Sequence, residues 1–490
     1  MAPGFLSKSR YLNGMQCLKY LWLQINEPDK VPQPDAQTQH LFDQGHVVQQ
    51  YAEKLFPGGL RVPESTFKKS IDMTAKLLKQ GQPFFEAGIL ADNVYSRIDV
   101  LRPADNARWD IIEVKSSTRV KDENIHDVSF QRYCCEKRGL DINKCYLVHI
   151  NNKYVKQGDI DPHGLFSMED ITEKAVEIAD GIETRVATML EAMASPECPD
   201  SRVGPHCSDP YECPVTACRE ALPENTVLDL YRGSSKAYDL LNQGICFLRD
   251  IPESVKLSEA QQRQKWCDAN SCAYVDQTQI GAFVKSLKYP LHYLDFETFS
   301  TAVPLLDGTR PYQQVPFQFS LHVVDKPGAM PWPFGHLADG PQDPRPRFLE
   351  ELRKAVGSKG SIIVYNQKFE EGILRDLAGA FPEYADWVEA ACARMVDLLG
   401  PFRSFSYYHP DQKGSASIKA VMPALTGRGY DDLDISVGDE ASLAYLDMTY
   451  GNMSADERAK TRRDLEEYCG RDTEGMIWIV EKLRELGSHG

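Results

Sequence analysis

Hydrophobic and polar residues follow two different spacings in the first half of the chain. In LFDQGHVVQQYAEKLF, residues 41–56, apolar residues recur at helical spacing until PGG ends the segment. FFEAGIL, VYSRIDVL and WDIIEVKSS follow as strand-like stretches, with a PADN turn between the last two. A helix candidate, NIHDVSFQRYCCEKRG, then precedes the apolar strand CYLVHIN. This order of strands and covering helix predicts an α/β domain.

The strand pattern stops and restarts further along the chain. One long amphipathic helix is predicted over residues 171–193, and an irregular loop rich in Cys and Pro follows it. KYPLHYLDFETFS, PFQFSLHVV and SIIVYN then predict new strands, and the C-terminal region predicts a long helix with an apolar stripe. A chain of 490 residues exceeds one ordinary core. We therefore predict two α/β domains joined by a helical linker, at residues 1–220, 289–490 and 221–288 respectively.

Composition narrows the class of protein. A hydrophobic content of 42% and a charged content of 26% are typical of a soluble globular chain. No run of about 18 apolar residues occurs, so neither a signal peptide nor a membrane partner is predicted, and the cytoplasm is the expected location. The 13 cysteines are too dilute for a disulfide scaffold. A net charge of −16 argues against a general nucleic-acid coat, although a local basic groove stays compatible with it.

Three charged residues lie inside predicted strands of the first domain. Side chains alternate along a strand, so Glu113 and Lys115 share one face while Val114 turns to the core. If the two strands pair through the PADN turn, Asp99 approaches Glu113. Two carboxylates suit Mg²⁺ or Mn²⁺, and a lysine can steer water and balance charge on a phosphate. The alternative is a hairpin with a charged outer face.

These residues resemble the active site of the PD-(D/E)XK nuclease superfamily, which implies a restriction-endonuclease-like core. Asp99 matches the strand aspartate of that family, and Glu113-Val114-Lys115 matches its E-x-K motif. Gln131 and Tyr133 lie in the next predicted helix, where the RecB-like branch has a glutamine and a nearby tyrosine. The resemblance therefore implies catalytic roles for Asp99, Glu113, Lys115 and Gln131.

Two positions upstream bear on the same resemblance. Glu86 lies one strand before Asp99 and is a candidate further metal ligand. The RecB-like branch often has a metal-binding histidine in a helix after a glycine. Here His46 is displaced from that place and Gln49 occupies it, so we predict that His46 faces solvent.

Three cysteines, Cys207, Cys213 and Cys218, are close together in GPHCSDPYECPVTACRE. Thiolates select zinc or an iron–sulfur cluster. Zinc sites more often contain a second C-x-x-C or a histidine pair, and neither is present here. The order of Cys17, the nuclease motif and these cysteines resembles the iron–sulfur RecB-like nucleases, including AddB-type and CRISPR-adaptation exonucleases. That resemblance implies a structural 4Fe–4S cluster held by Cys17, Cys207, Cys213 and Cys218. A zinc site, or Cys198 as fourth ligand, are the alternatives.

The second domain carries another set of acidic residues. Asp295 and Glu297 share one face of the predicted strand YLDFETFS. This D-x-E resembles the first motif of RNase H-like DEDD exonucleases, whose carboxylates hold two divalent ions. Asn366-Gln-Lys-Phe369-Glu370 resembles the second motif, with Glu370 where an aspartate is usual. Tyr468 and Asp472, four apart on one helix face, match the Y-x-x-x-D of the DEDDy subclass.

Three segments of the second half have weaker interpretations. Asp397 is predicted to have a buried strand-end role or a capping role rather than to bind metal. YYHPDQKGSASIKAVMPAL, with His409 and Lys419, could meet a phosphate at a helix N-terminus. LYRGSSKAYDLLNQGICFLRDIPE faintly resembles a helix hairpin whose backbone amides hold DNA phosphates, and a plain linker is its alternative.

Taken together, the motifs resemble a bacterial family of two-nuclease proteins almost from end to end. The resemblance implies a metal-dependent DNA nuclease with two active sites, acting on single-stranded DNA or DNA ends with Mg²⁺ or Mn²⁺, in processing, repair or antiviral defence. One alternative is a nucleic-acid-binding scaffold in which one or both nuclease folds are inactive. Another is a nuclease that acts on RNA.

Overall fold

A computed structural model of the protein describes residues 4–62 and 67–488. The chain divides into two compact units, residues 1–221 with 301–313, and residues 222–300 with 314–490. The stretch predicted as a linker thus belongs to the second unit, and a short segment after the D-x-E strand belongs to the first. The mixed α/β class is confirmed. Of the described helices, none combines the length and the apolar character that crossing a bilayer requires.

A mixed sheet forms the framework of the first unit. Its strands run in the order β2-β3-β4-β5-β6-β7, with β1 paired to β4. β3, β4 and β5 form an antiparallel meander, whereas β5 and β6 are parallel neighbours. In the described residues the strands are β1 (Leu6–Ser7), β2 (Leu60–Arg61), β3 (Phe84–Ala91), β4 (Val94–Pro103), β5 (Trp109–Lys115), β6 (Ile142–Ile150) and β7 (Phe166–Asp170).

Helices cover this sheet. They are α1 (Lys8–Gln16), α2 (Leu18–Asn26), α3 (Ala36–Glu53), α4 (Phe67–Leu77), α5 (Asp122–Lys137), α6 (Pro162–Leu165), α7 (Thr172–Ala179), α8 (Ile182–Ala194) and α9 (Ala217–Glu220). The helix α5 connects the parallel strands β5 and β6, as such a crossover must. Asp122 and Glu123 in its first turn suit the positive end of the helix dipole. Val128 and Phe130 of α5 are fully buried in the core of this unit.

The helix predicted over residues 171–193 is two helices. Gly181 separates α7 from α8 and adopts a φ of 75°, which residues with a side chain rarely adopt. The apolar spacing continues on both sides of this break, because both helices bury one face. Ala175 of α7 and Val186 of α8 belong to the same core cluster.

The second unit is built on a five-stranded sheet in the order β11-β10-β9-β12-β13. β9, β10 and β11 are antiparallel neighbours, while β12 and β13 continue on the other side of β9 parallel to it. A separate small pair joins β8 to β14. The strands described are β8 (Tyr274–Val275), β9 (Leu291–Phe299), β10 (Val315–Val324), β11 (Trp332–Leu337), β12 (Ser361–Val364), β13 (Met395–Asp397) and β14 (Tyr407–Tyr408).

Helices of the second unit surround this sheet, and α19 is the longest of those described. They are α10 (Ser234–Asn242), α11 (Glu259–Asn270), α12 (Gln277–Ser286), α13 (Arg345–Ala355), α14 (Gln367–Ala380), α15 (Ala385–Cys392), α16 (Gly400–Arg403), α17 (Ile418–Thr426), α18 (Gly438–Tyr450) and α19 (Ala455–Gly487). A capping box starts α19, because Ser454 and Glu457 each accept the backbone N–H of the other. α19 packs on β9 and β10 and buries Leu465 and Met476.

Candidate active sites

In the first unit, three carboxylates lie in a row across neighbouring strands. Phe85 pairs with Val100 and Ala87 with Ile98, so the register places Glu86 of β3 across from Asp99 of β4. Val100 pairs with Ile112, which places Glu113 of β5 on the other side of Asp99. The regular β4–β5 pairing ends there, and the Asp99 carboxylate accepts the backbone N–H of Val114 at 2.8 Å. The predicted approach of Asp99 to Glu113 is therefore present in the structure.

Glu113 is the most enclosed member of this row, at 1% exposure. One of its oxygens accepts Lys115 Nζ at 2.6 Å and Lys8 Nζ at 2.9 Å. The other oxygen accepts the Gln131 side-chain amide at 2.6 Å. Both oxygens are thus held by donors, and the carboxylate is fixed in one orientation.

Sequence analysis did not include two further residues of this site, Asp127 and Lys8. Asp127 of α5 accepts Lys115 Nζ at 2.6 Å and the Gln131 amide at 2.9 Å. Lys8, at the start of α1, contacts Glu113 and lies 3.8 Å from Asp127. Asp127 and Gln131 are four residues apart on one helix, which is a signal that the sequence contains. Lys8 carries no comparable local signal.

Two lysines, Lys8 and Lys115, offset the negative charge of the carboxylates at this site. Burial lowers the pKa of Lys115, but Asp127, Glu113 and Asp99 raise it more, and the resulting pKa lies well above its ordinary value. The pKa of Lys8 is raised in the same way, with burial opposing the pull of Asp127 and Glu113. Both side chains therefore keep their charge at neutral pH. Burial raises the pKa of Asp99, and Lys8 and Lys115 partly offset that rise.

A cavity of about 730 Å³ opens beside the row of carboxylates. Glu86 and Asp99 line it, together with Lys8, Gln49 and His46. Glu86 has a φ of 62° and is held by Arg97 and by the amide of Gln49. His46 is exposed at the mouth of this cavity. Glu86 and Asp99 thus face a space that solvent reaches.

The cysteines predicted as cluster ligands lie together. Cys17, Cys207, Cys213 and Cys218 all line one cavity of about 200 Å³. Burial raises the pKa of Cys213, and the neighbouring thiols of Cys17, Cys207 and Cys218 raise it further. The Cys213 backbone N–H donates to the Cys207 carbonyl at 2.8 Å, which closes a tight loop. Cys198 is exposed and does not line this cavity.

The second unit gathers its acidic residues between β9 and α19. Asp295 and Glu297 lie on one face of β9, and Cys469 of α19 donates from its thiol to the Asp295 carboxylate at 3.9 Å. One ligand atom from each of these three residues lies within 4.8 Å of the others. Of the described residues, this is the one group of three such side chains spaced closely enough to share a metal ion.

Asp472 lies one helical turn from Tyr468 on α19, and both side chains are buried. Asp472 accepts the hydroxyl of Tyr430, and Tyr468 lies within hydrogen-bonding reach of it. Lys419 donates to the Tyr468 hydroxyl at 3.1 Å. Its ammonium group also lies 4.8 Å from the centre of the Tyr468 ring. Tyr430 and Cys469 are members of this site that sequence analysis did not include.

Glu370 is the carboxylate in the place of the usual aspartate. It lies in the first turns of α14, is 3% exposed, and has a carboxylate oxygen with no hydrogen-bond partner among the described residues. Glu370 is close enough to Asp295 to raise the pKa of that carboxyl. A buried oxygen of this kind is suited to a cation that the polypeptide does not supply.

The carboxyl groups of this site have raised pKa values. Burial, and then Asp472 and Glu297, raise the pKa of Asp295 well above its ordinary value. Burial and Asp472 do the same to Glu297. Burial raises the pKa of Glu370 to about 8. It raises the pKa of Asp472 to about 6, although Tyr430 and Lys419 act in the opposite direction.

Other predicted residues lie outside these two groups, although Asp397 is close enough to Glu370 to raise the pKa of that carboxyl. Asp397 ends β13 and accepts the backbone N–H of Leu399 at 3.0 Å, which is the capping contact expected of it. Tyr133 packs against the core of the first unit. His409 accepts the backbone N–H of Asp411 at 3.2 Å, within its own loop.

Comparisons with known proteins cover parts of the chain. Residues 292–417 match a domain of unknown function, DUF2779, which includes Asp295, Glu297 and Glu370 but ends before α19. An uncharacterized protein of Mycoplasma pneumoniae, the MG366 homolog, is 28% identical over 221 residues, which cover 41% of this chain and 33% of that protein. The matched region thus spans about a third of this relative's length.

Two further relatives match at a similar level. The uncharacterized protein MG366 of Mycoplasma genitalium is 26% identical over 219 residues, 41% of this chain and 33% of that protein. The uncharacterized protein UU173 of Ureaplasma parvum is 26% identical over 244 residues, 44% of this chain and 34% of that protein.

Proposed function

We propose that the protein is a metal-dependent nuclease with one active site in each unit. The observation that carries this proposal is the convergence of carboxylates from separate strands and helices at one place in each unit. In the first unit these are Glu86, Asp99 and Glu113, and in the second they are Asp295, Glu297, Glu370 and Asp472. Charged side chains are rarely brought together in a protein interior unless they are paired or bind a cation.

In the first site, Asp99 and Glu113 would hold Mg²⁺ or Mn²⁺. Glu86 on the adjacent strand would be a further ligand, although the three carboxylates do not all lie within 4.8 Å of one another in this structure. When bound, such an ion lowers the pKa of a ligated water and polarises the phosphate. Lys115 is charged and fixed by Glu113 and Asp127, so it is placed to orient the attacking water and to offset charge on the scissile phosphate. Gln131 holds Glu113 in position. The fold supports a PD-(D/E)XK core, since an antiparallel three-stranded meander is followed by a helix and a parallel strand.

In the second site, Asp295, Glu297 and Asp472 would hold divalent ions, and Glu370 offers a free buried oxygen as a fourth ligand. Tyr468 is positioned by Lys419 next to Asp472, where it can orient a water for attack on the terminal phosphodiester. Release of nucleotides from a 3′ end is the reaction we assign to this site. The sheet order, in which β10 alone is antiparallel to its four companions, supports an RNase H-like fold.

A 4Fe–4S cluster held by Cys17, Cys207, Cys213 and Cys218 is part of the proposal. The donor set supports it, because four thiols surround one cavity and belong to the two ends of the first unit. A single zinc ion with Zn–S distances of about 2.3 Å would need sulfurs roughly 3.8 Å apart. Of the described residues, no three cysteines have ligand atoms within 4.8 Å of one another, so a larger group fits better.

The second candidate function is a nucleic-acid-binding scaffold with an inactive second site. It is favoured by Glu370, whose side chain is one methylene longer than the usual aspartate and whose raised pKa keeps it largely protonated at neutral pH in the absence of a cation. RNA as the substrate is a further variant of the nuclease proposal, because carboxylate sites of this kind contact phosphate and sugar rather than base edges.

A nuclease assay on end-labelled single-stranded DNA and RNA tests the proposal. Anaerobically purified protein should degrade DNA with Mn²⁺ and leave it intact with EDTA. Asp99→Asn should abolish one product pattern and Asp295→Asn the other. Calorimetry with Mn²⁺ separates the scaffold from the enzyme, since an inactive second site would show no binding that depends on Asp295.

A further inference from the structure

A groove of about 520 Å³ lies in the second unit beside the proposed exonuclease site. Nothing assigned above to catalysis uses it. We call this space the arginine groove. Six of the residues that line it are Tyr231, Arg232, Tyr365, Asn366, Arg403 and Ser417.

The charge of the arginine groove differs from that of the whole chain. Arg232 and Arg403 are both exposed, and no carboxylate lines the groove among the described residues, although the chain carries a net charge of −16. Neither guanidinium forms an ion pair in the described part of the chain. Arg232 instead lies 5.2 Å from the centre of the Tyr231 ring. Two arginines that form no ion pair among the described residues are suited to anionic phosphates.

Two aromatic rings lie in the same groove. The Tyr365 hydroxyl donates to the Ala416 carbonyl at 2.8 Å, which fixes the ring at the end of β12. Burial and then Asp397 raise the pKa of Tyr365, and the charge of Arg403, on the groove side, partly opposes this rise. Tyr231 is partly exposed next to Arg232. Aromatic faces beside arginines are the usual means of holding unpaired bases and their phosphates together.

The groove also lies next to the carboxylates. Asn366 precedes α14 and Ser417 precedes α17, and neither side chain caps its helix. The first turns of these two helices carry Glu370 and Lys419, which belong to the carboxylate site. A single-stranded nucleic acid whose last phosphodiester lies at the carboxylates can therefore continue into the groove within a nucleotide or two. The uncapped amides at both helix starts add to the attraction for phosphate.

We propose that the arginine groove binds the unpaired nucleotides that precede the scissile bond, with Arg232 and Arg403 on their phosphates and Tyr231 and Tyr365 against their bases. The ligand class is single-stranded nucleic acid, because bases inside a duplex are stacked on both faces and leave none for the tyrosines. This inference rests on the proposed nuclease function of the second unit and adds a substrate site to it. It also gives residues 231–232, in a stretch predicted as a linker, a direct role in binding.

Photocrosslinking tests the contact directly in the full-length protein. A single-stranded oligodeoxynucleotide containing bromodeoxyuridine is irradiated with the protein in EDTA, and the crosslinked peptides are mapped by mass spectrometry. Crosslinks are expected in the peptides that contain Tyr231 and Tyr365, and they should be lost in the double variant Arg232→Ala/Arg403→Ala. An oligoribonucleotide carrying bromouridine and a blunt duplex are the parallel arms, and the blunt duplex should give no such crosslinks.

Fluorescence anisotropy in EDTA measures the contribution of each arginine. Arg232→Ala and Arg403→Ala should each weaken binding of single-stranded oligothymidylate by about tenfold. Each should also reduce the slope of log affinity against log salt by about 0.7. Arg403→Lys should retain the salt slope. Arg353→Ala is the matched control, because Arg353 is exposed in the same unit and lies over Tyr384 at 5.7 Å, outside the groove.

The outcomes separate this proposal from the nuclease proposal. If crosslinks fall elsewhere and the double variant binds with unchanged affinity and salt slope, the groove proposal is overturned, whether or not the second unit cleaves DNA. If crosslinking depends on Arg232 and Arg403 in a protein that cleaves nothing, the groove proposal stands and the catalytic one fails. Equal crosslinking of the blunt duplex overturns the assignment to single strands.

Discussion

Both units bury several carboxylates close together, and the two sites differ in how that negative charge is offset. In the first unit, Lys8 and Lys115 lie within 2.9 Å of the buried Glu113 carboxylate, and their own pKa values are raised. In the second unit, Lys419 interacts with Asp472, Glu297 and Asp295, and burial lowers its pKa although these carboxylates oppose the shift. There the imbalance appears in the acids themselves, because the pKa values of Asp295, Glu297, Glu370 and Asp472 are all raised.

This difference indicates what each site requires from solution. The first site has its charges paired within the fold, so its geometry is set before any ion binds. The raised pKa values of the second site favour protonated carboxyl groups, so the divalent ions that we propose there would displace protons on binding. Under the proposed function, Lys115 of the first site would act on the attacking water and the phosphate, whereas Lys419 of the second site would mainly position Tyr468.

The largest expected effect is the loss of cleavage by the first site on removal of its lysine. Lys115→Met should reduce that activity by about 10²–10⁴-fold, because it removes the ammonium group that contacts Glu113 and Asp127 at 2.6 Å each and that we assign to the attacking water and the phosphate. Lys419→Met should reduce cleavage by the second site by only about tenfold. Rates on end-labelled single-stranded DNA measure both, in backgrounds where the other site carries Asp→Asn. Lys144→Met, which removes a surface ion pair with Asp170, is the control. Equal losses of cleavage rate for Lys115→Met and Lys419→Met would show that the two sites depend on their lysines to the same extent.

The next effect concerns the first unit alone. Cys213→Ser should remove the visible absorption and the bound iron, and lower the melting temperature of the first unit by about 10 °C, since such a group stabilises the fold that holds it. Cleavage by the second site should be unchanged. Cys198→Ser is the matched control, because Cys198 is exposed and outside the cysteine cavity. Zinc in place of iron in anaerobically purified protein would show that the cluster assignment is wrong.

The dependence of stability on pH tests the raised carboxyl pKa values of the second unit. A carboxyl group whose pKa is higher in the folded protein binds its proton more tightly there, so ionisation destabilises the fold. For Glu370 the pKa rises from 4.5 to about 8, so its contribution to stability is lost as the pH rises through that interval. In EDTA, Glu370→Gln should therefore raise the free energy of unfolding at pH 8 by about 2–4 kcal/mol and leave it nearly unchanged at pH 4.5.

Urea unfolding followed at both pH values measures this effect. Glu371→Gln is the control, since that neighbouring carboxylate forms a surface ion pair with Arg375. A Glu370→Gln protein that is less stable than the wild type at pH 8 would mean that the carboxylate is already paired with a cation inside the fold.

The smallest effect belongs to a residue that acts through another. Gln131→Leu should reduce cleavage by the first site by about tenfold, because the amide that fixes Glu113 and Asp127 is lost while the carboxylates remain. The apparent affinity for Mn²⁺ should fall by a similar factor. Ser129→Ala is the control, since Ser129 is buried on the same helix and its hydroxyl has no partner in the described residues. An unchanged Mn²⁺ affinity would remove Gln131 from the site.

Local spacing was enough to predict the α/β class and much of each site. Alternation along a strand placed Glu113 and Lys115 on one face, and a helical repeat placed Tyr468 and Asp472 together. The same rules failed at Gly181, where apolar spacing continues across a break between two helices. Periodicity reports which face is buried, and it does not report whether one helix or two present that face.

Residues from distant parts of the chain were beyond such rules. Lys8 reaches Glu113 across 105 residues of sequence, and nothing near Lys8 indicates that contact. Tyr430 lies in an irregular segment with no period, and its bond to Asp472 depends on tertiary packing. Asp127 differs from these, because its spacing of four from Gln131 on one helix was a usable signal.

Whether both sites cut phosphodiester bonds is tested most directly by a double variant. Release of product from end-labelled single-stranded DNA with Mn²⁺ is measured for the wild type, Asp99→Asn, Asp295→Asn and the combination of both. Each single variant should lose one product pattern and keep the other, and the double variant should be as inactive as the wild type in EDTA. A double variant that degrades the DNA at the wild-type rate would contradict the assignment of both sites.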